Sequence, residues 1–148
     1  NEYTLSTGFD VSTAVFRDIN GDGTGFSVAT QETFPSGIVF NNDGTKMFIL
    51  DQADKQIEEY NLSTPYNPAT KTLNNTLSNT FTSSVNSHQG LAFNNDGSKM
   101  FVVKGENSGN NADNKIEEYA LSSAFDISTA TLTGTFTPMH RILTLLDF

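Results

Sequence analysis

Short apolar runs alternate with polar segments rich in Asn, Asp, Gly, Ser and Thr along most of this chain. The strongest run is MFIL at Met47–Leu50, where successive side chains of an extended strand point to opposite faces. Both faces of that strand are apolar, so it must be covered on both sides. The pattern predicts short strands in stacked sheets, and no long stretch has the spacing of an amphipathic helix.

The same pattern of residues occurs more than once. FNNDGTKMFIL at Phe40–Leu50 returns as FNNDGSKMFVV at Phe93–Val103, with eight of eleven residues identical. IEEYNLSTPYNPATKTL at Ile57–Leu73 returns as IEEYALSSAFDISTATL at Ile116–Leu132. A shortened third copy, EYTLSTGFDVSTAVF, lies at Glu2–Phe16. Self-similarity at a nearly fixed spacing indicates a repeat architecture.

Each full copy divides into four predicted strands. The first two flank an Asp-Gly turn, and a Ser/Thr/Pro-rich turn precedes the fourth. The strands are Ser36–Phe40, Lys46–Leu50, Gln56–Leu62 and one ending near Phe81 in the first copy, and Gln89–Phe93, Lys99–Val103, Lys115–Leu121 and one ending near Phe136 in the second. Small antiparallel sheets of this kind, repeated and packed face to face, are typical of propeller blades.

The sequence therefore predicts an all-β fold of propeller-type, four-stranded antiparallel blades. About two and a half repeats are present, so one chain does not close a ring of four to eight blades. The predicted divisions are a leading half repeat with an acidic loop (1–35), unit one (36–88), unit two (89–137) and a divergent apolar strand (138–148). The side chains expected in equivalent buried places are Phe40, Met47, Phe48, Tyr60, Phe93, Met100, Phe101 and Tyr119.

GIVFNNDGTKMFIL and IEEYNLSTPYNPATKTL together resemble the tandem repeats of secreted and surface propeller-like proteins from aquatic bacteria and their phages. The similarity covers roughly Glu2 to Thr137 and includes the Asp-x-Ser-Thr-Ala element at Asp10–Ala14 and Asp126–Ala130. The resemblance implies a repeat fold located outside the cell or at its surface. It implies no catalytic residue, because the family has no catalytic signature. Pro138–Phe148 departs from the repeat pattern.

Composition narrows the classes of function. Eight basic and seventeen acidic residues give a formal net charge of −9, which argues against nucleic acid or an anionic membrane as the partner. The chain has no cysteine, which excludes disulfides, thiol catalysis and cysteine-ligated zinc. No apolar run approaches the ~20 residues that span a bilayer, so membrane insertion is not expected.

DINGDGTG at Asp18–Gly25 is the most specific ligand-like stretch. Asp18, Asn20 and Asp22 stand at alternate positions, as the first oxygen ligands of a calcium loop do, and Gly23 permits the sharp turn. The second half of the stretch offers no bidentate Glu in register. These three residues are therefore candidate ligands for calcium, the one cofactor that the sequence suggests. The alternative is an ordinary hairpin tip.

Two Asn residues lie in N-glycosylation triplets, NLS at Asn61 and NNT at Asn74. Asn61 is expected at the end of a strand and Asn74 in a polar loop, so both are predicted to be exposed. Glycosylation would require a host that carries it out. The alternative is chance, because the chain is rich in Asn, Ser and Thr.

No group of titratable residues forms a catalytic constellation. Asp43 and Asp96 each precede a Gly between two apolar strands, so both are interpreted as turn residues. His88 and His140, the only histidines, have no ligand or triad spacing around them, which favours structural or surface roles. We therefore expect that the chain is not an enzyme.

The recurring carboxylates Glu58–Glu59 and Glu117–Glu118 are adjacent on predicted strands. Neighbouring side chains on a strand point to opposite faces, so neither pair acts together on one substrate. We expect one Glu of each pair to face solvent and the other to pair locally with Lys55 or Lys115.

The leading interpretation is a non-catalytic, extracellular structural or adhesive repeat module. Its partners would be further copies of itself, joined head to tail into a ring or a filament. The alternative is a carbohydrate- or ligand-binding propeller fragment of a longer surface protein, with the variable loops as its binding surface. A calcium-assisted propeller hydrolase is a third class, and no residue is assigned to it.

The segment Arg141–Phe148 is the more apolar end of the chain. An unpaired apolar strand invites pairing with another strand, so this segment is predicted to be buried against another subunit or against the leading half repeat. The alternatives are a tail that folds back on its own unit and a break made when the sequence was cut. The predicted interface residues are Ile142, Leu143, Leu145, Leu146 and Phe148.

Overall fold

The alternation of apolar strands and tight turns produces an all-β fold. The computed structural model describes residues 2–17, 27–28, 34–78, 87–105 and 114–137. This part of the chain forms two four-stranded antiparallel sheets and one small two-stranded sheet, and it contains no α-helix. The predictions of an all-β chain and of four-stranded antiparallel sheets are confirmed.

The leading hairpin is the shortened copy of the repeat. It consists of β1 (Tyr3–Leu5), a 3₁₀ turn η1 (Val11–Thr13) and β2 (Ala14–Phe16), with the two strands antiparallel. Asp10 caps the 3₁₀ turn, because its carboxylate accepts a hydrogen bond from the backbone nitrogen of Ser12. The hairpin corresponds to the third and fourth strands of a full unit.

Sheet one is a meander of four strands in the spatial order β3-β4-β5-β6. The elements are β3 (Pro35–Phe40), β4 (Lys46–Asp51), β5 (Gln56–Leu62), η2 (Pro68–Thr70) and β6 (Lys71–Ser78). Sheet two repeats this topology in the order β7-β8-β9-β10. Its elements are β7 (Ser87–Phe93), β8 (Lys99–Gly105), β9 (Lys115–Leu121), η3 (Ile127–Thr129) and β10 (Ala130–Phe136).

Both Asp-Gly sequences form the predicted turns between the first and second strands. Gly44 and Gly97 each have φ +71°, a left-handed conformation that favours glycine. An aromatic ring also lies directly on each glycine, so an added Cβ would come within 2.3 Å of the Tyr66 ring or 2.2 Å of the Phe125 ring. Glycine is thus required at each turn for two independent reasons.

The main apolar core lies between the two sheets. One face of sheet one supplies Phe48, Leu50 and Ile57, and sheet two supplies Met100, Val102, Tyr119, Leu121 and Ile127. The rings of Phe48 and Phe93 are in contact across the interface, with centroids 4.5 Å apart. A second cluster lies on the opposite face of sheet one and contains Met47, Ile49, Tyr60 and Leu62.

Strand β4 is covered on both faces, as predicted from MFIL, because Met47–Leu50 is almost completely buried. Strand β8 is also expected to be buried on both faces, because Met100 and Phe101 are both predicted core residues, and this expectation is wrong. Met100 and Val102 are buried between the sheets, whereas Val103 on the other face is 39% exposed and Phe101 is half-buried. Of the expected core residues, Met47, Phe48, Tyr60, Met100 and Tyr119 are buried, and Phe40, Phe93 and Phe101 are only partly buried.

The packing of two similar sheets agrees with the sequence repeat. No closed ring is present in the described residues, so a propeller arrangement stays a prediction. The proposed divisions of the chain (1–35, 36–88, 89–137 and 138–148) stay predictions too. The described residues contain no helix that is long and apolar enough to cross a membrane.

Candidate functional site

The interface between the two sheets contains a buried ion pair that reaches across it. The Nζ atom of Lys46 lies 2.7 Å from Oε1 of Glu59, whose side chain is completely buried. Lys46 also donates a hydrogen bond of 2.8 Å to the backbone oxygen of Phe125 in sheet two. Oε2 of Glu59 accepts a hydrogen bond of 3.0 Å from the backbone nitrogen of Ile127. The pair from sheet one therefore holds the Phe125–Ile127 turn of sheet two.

The buried Glu59 carboxylate is stabilised by several donors at once. Besides Lys46 and Ile127, the side-chain nitrogen of Asn74 donates to Oε1 at 2.7 Å. An ionised carboxylate is costly to bury unless it is paired and hydrogen-bonded, and charge-assisted hydrogen bonds are the strong ones. Because two of its donors lie in sheet one and the third lies in sheet two, this carboxylate favours the docked arrangement.

We call the side of sheet one that packs on sheet two the covered face. It comprises Phe48, Leu50, Ile57, Glu59 and Leu77, which share one side because their positions are paired across neighbouring strands. The residues at the same positions of sheet two form what we call the open face, which comprises Phe101, Val103, Ile116, Glu118 and Phe136. The two faces differ in sequence by conservative changes only, apart from Leu77 and Phe136.

The open face has an ion pair equivalent to that of the covered face. No described turn is bound to this second pair. Nζ of Lys99 lies 2.9 Å from Oε1 of Glu118, and these side chains are 49% and 36% exposed. The hydrogen bond from Lys99 is the main reason why the pKa of Glu118 is lower than usual. The pair is therefore formed by the residues of sheet two alone.

A shallow groove of about 440 Å³ lies on the open face. Its lining is mostly apolar and consists of Phe101, Ile116, Glu118, Gly134, Thr135 and Phe136. The groove overlaps the positions that, on the covered face, contact sheet two. The surface that forms the interface on sheet one is thus also present on sheet two. No described element of the chain covers it there.

A second buried polar cluster lies on the side of sheet two that faces sheet one. Nζ of Lys104 is 2.5 Å from Oε1 of Glu117, and Oε2 of Glu117 accepts a hydrogen bond of 2.6 Å from the Tyr119 hydroxyl. Burial, together with this hydrogen bond, raises the pKa of Tyr119 above its usual value. His88 lies beside the cluster, where burial, assisted by the charge of Lys104, lowers its pKa to about 4.

The hydrogen bond between Tyr and Glu recurs in unit one as Tyr60–Glu58, but the lysine of the cluster is specific to unit two. The position of Lys104 is occupied in sheet one by Asp51, whose carboxylate caps the following turn by accepting hydrogen bonds from the backbone nitrogens of Ala53 and Asp54. Lys104, Glu117 and Tyr119 are thus bonded to one another within sheet two. They lie in the interface between the two sheets, so we assign them a structural role.

The expectation for the paired glutamates is wrong in two respects. Glu58 and Glu59 are both buried, so neither faces solvent. Their neighbours were also misassigned: Glu58 accepts a hydrogen bond from the Tyr60 hydroxyl, and Glu59 pairs with Lys46. Adjacent residues on a strand do face opposite sides, but in sheet one both sides are covered.

In unit two the glutamate pair is closer to the prediction. Glu118 is partly exposed and Glu117 is buried, but the lysines that pair with them are Lys99 and Lys104 of the preceding strand. The carboxylates pair with lysines of the adjacent strand, and not with neighbours along the chain, because a long lysine side chain reaches the diagonal position on a paired strand. The recurrence of Lys46 as Lys99 and of Glu59 as Glu118 is the sequence signal that could have identified the pair.

Asn61 and Asn74, the candidate glycosylation residues, both lie in strands and are exposed. The loop position expected for Asn74 is wrong, since β6 includes it. The side-chain nitrogen of Asn74 donates to the buried carboxylate of Glu59, and a glycan on that nitrogen would compete with this contact. Glycosylation at either residue stays a prediction.

Two sets of predicted site residues lie outside the described residues. They are the candidate calcium ligands Asp18, Asn20 and Asp22, and the candidate interface residues Ile142, Leu143, Leu145, Leu146 and Phe148. His140 also lies outside them. Within the described ranges, no group of three or more His, Asp or Glu side chains is placed to hold a metal ion.

Comparison with known protein families, curated proteins and solved structures finds no match for this chain. The resemblance to propeller-like surface proteins therefore stays a prediction.

Proposed function

We propose that this chain is a non-catalytic structural repeat module that acts outside the cell or at its surface and builds larger assemblies with further copies of itself. Each four-stranded sheet is a propeller-type blade in this proposal. The meander order of both sheets and their face-to-face packing support that assignment.

One observation carries the proposal. The covered face of sheet one and the open face of sheet two have nearly the same residues, but only the first has a partner among the described residues. Phe48 is completely buried, whereas Val103 and Phe136 are 39% and 62% exposed. Exposed apolar surface with a charged rim is typical of an interaction site. A surface that already binds a copy of the repeat within the chain is suited to bind another copy.

The contact would be head to tail, because the open face lies on the last sheet and the complementary surface belongs to an earlier part of the repeat. Head-to-tail contacts close into rings when the rotation allows and otherwise grow as filaments. The net charge of −9 is consistent with this role, because it keeps the separate module soluble and disfavours nucleic acid as a partner.

The experiment is to measure the mass of the protein in solution as a function of concentration by sedimentation velocity, with negative-stain images of the assembled fraction. We expect the mass to rise with concentration and to pass beyond that of a dimer. A protein that stays monomeric up to about 500 µM would overturn the proposal, since even interfaces below standard size associate in that range.

A second candidate function, carbohydrate binding, is favoured by the lining of the groove. Phe101 and Phe136 provide apolar ring surface beside the Glu118 carboxylate and the Thr135 hydroxyl. A concave site that combines apolar walls with a few polar groups is typical of ligand sites. A glycan array, read with the wild-type protein and with Phe136→Ala as the control, would test this function. Binding that depends on Phe136 would support it.

A further inference from the structure

Sheet one binds the Phe125–Ile127 turn of sheet two, and the leading hairpin contains a turn of the same type. Phe9 has φ +63°, and Phe125 has φ +54°. The next residues, Asp10 and Asp126, have φ/ψ of −96°/98° and −116°/99°, and each carboxylate accepts a hydrogen bond from the backbone nitrogen two residues later. A positive φ is uncommon for a residue with a side chain, so its recurrence shows that the Phe9–Val11 turn has the backbone shape of Phe125–Ile127.

The two turns differ in their surroundings. Ile127 is completely buried against sheet one, whereas Val11 at the same position of the leading hairpin is 81% exposed. Tyr3 and Leu5 are also exposed, although their counterparts Tyr119 and Leu121 are buried in the core between the sheets. The leading hairpin therefore presents, in solvent, a set of side chains that the chain buries in its second unit.

We propose that the Phe9–Val11 turn of one copy docks on the Lys99–Glu118 pair of a second copy, with Val11 over the groove of the open face. In the complex, the backbone nitrogen of Val11 donates to Glu118 and Lys99 donates to the backbone oxygen of Phe9. These are the contacts that Ile127, Glu59, Lys46 and Phe125 make within the chain. The inference rests on the proposed self-assembly and names the two surfaces that carry it.

The described part of the chain contains one other turn of this type, and its sequence is unsuited to the contact. In unit one the turn is Tyr66–Pro68, and Pro68 occupies the position of Val11 and Ile127. Proline has no backbone N–H, so it has no donor for Glu118. Pro68 is also already buried. The leading hairpin is therefore the surface of a second copy that complements the open face in both shape and hydrogen bonding.

The first test uses the proline that unit one already places in this turn. Val11→Pro removes the donor while keeping a residue that the same backbone accepts at position 68. We expect it to weaken self-association about ten- to a hundredfold, as loss of one hydrogen bond to a charged group does.

Val11→Asp should abolish association, because it places a carboxylate against Glu118. Val15→Asp is the matched control, since Val15 is an exposed valine on β2 outside the turn. Association unchanged in both Val11 variants would overturn the inference.

The second test separates the two surfaces. A Val11→Asp protein keeps an intact open face, and a Lys99→Glu protein keeps an intact leading turn. We expect each protein to be monomeric alone and a mixture to form a one-to-one complex that grows no further, because the second contact would place the carboxylates of both variants together with Glu118. Val15→Asp, which adds a negative charge to an exposed residue elsewhere, is also the control for Lys99→Glu and should leave assembly unchanged.

These outcomes distinguish failure of this inference from failure of the proposed function. If the wild-type protein never associates, the self-assembly proposal and this inference both fall. If it associates and the two variants associate equally well, self-assembly stands and these surfaces are wrong. If the variants do not recombine as a mixed complex, the head-to-tail contact is wrong. If Phe136-dependent glycan binding occurs and self-association does not, the occupant of the groove is a carbohydrate and the inference is overturned.

Discussion

Phe48 and Phe101 occupy the same position of a repeated strand, but their surroundings differ. Phe48 is completely buried because sheet two packs on it, whereas Phe101 lines an open groove. The same contrast holds for the ion pairs: Glu59 is buried and holds a turn, whereas Glu118 is partly exposed. A repeated sequence provides each unit with the same surfaces, and the neighbour that follows decides which of them are covered.

The largest effect is expected from truncating the two phenylalanines. Phe48→Ala should reduce the free energy of unfolding by about 3–5 kcal/mol, as for a fully buried aromatic side chain. Phe101→Ala should cost less, about 1 kcal/mol in the separate molecule, because its side chain is only partly buried and lines an open groove. Urea denaturation at a low protein concentration measures both. Equal losses would contradict the difference between the covered and open faces.

Acidification should weaken the interface between the sheets through His88. Its pKa is about 4 when folded and about 6.5 when unfolded, so between these values the unfolded chain binds more protons. Stability therefore falls as the pH drops from about 6.5 to 4, by on the order of 3 kcal/mol. His88→Gln should remove this part of the slope in urea titrations at several pH values. Parallel pH profiles for the two proteins would contradict a buried, neutral His88 beside Lys104.

Neutralising the glutamate of each ion pair tests the difference between the covered and open faces, with a smaller expected effect on stability. Glu59→Gln should destabilise the chain by about 1.5–3 kcal/mol, since it removes the charge that accepts bonds from Lys46 and the backbone of Ile127. Glu118→Gln should leave the thermal midpoint of the monomer unchanged, because its pair is exposed to water. Thermal unfolding monitored by circular dichroism gives both values. A large loss with Glu118→Gln would mean that the open face is covered within the monomer.

The smallest contrast is expected at the two Asp-Gly turns. Gly44→Ala and Gly97→Ala should each cost about 1–2 kcal/mol, from the positive φ alone, and displacement of the aromatic ring adds to both. The two losses should agree within about 0.5 kcal/mol, because the two turns have the same geometry. The difference between the two units lies in the contacts that their sheets make with other parts of the chain. Urea denaturation of the pair measures the difference. A clear inequality would show that the turns of the two units are not equivalent.

Local features of the sequence predicted much of the fold. The strands from Lys46 and from Gln56 begin where the pattern of apolar residues and turn signals places them. The Asp-Gly turns were found because their chemistry is local. The partners of Glu59 were not found, since Ile127 lies far away in the sequence and contributes a backbone N–H that any residue but proline has. The burial of Glu58 was missed because no local signal indicates that both faces of β5 are covered.

The sequence by itself determined the repeat, the all-β class, the strand boundaries near the turns and the apolar character of both faces of β4. These follow from side-chain alternation and turn conformations, which are properties of neighbouring residues. Only the tertiary structure decided that the Lys46–Glu59 pair holds the turn of the next unit while Lys99–Glu118 holds none, and that Ile127 is buried while Val11 is exposed. Burial depends on which sheet packs against a face, and near-identical copies of a repeat cannot encode that difference within themselves.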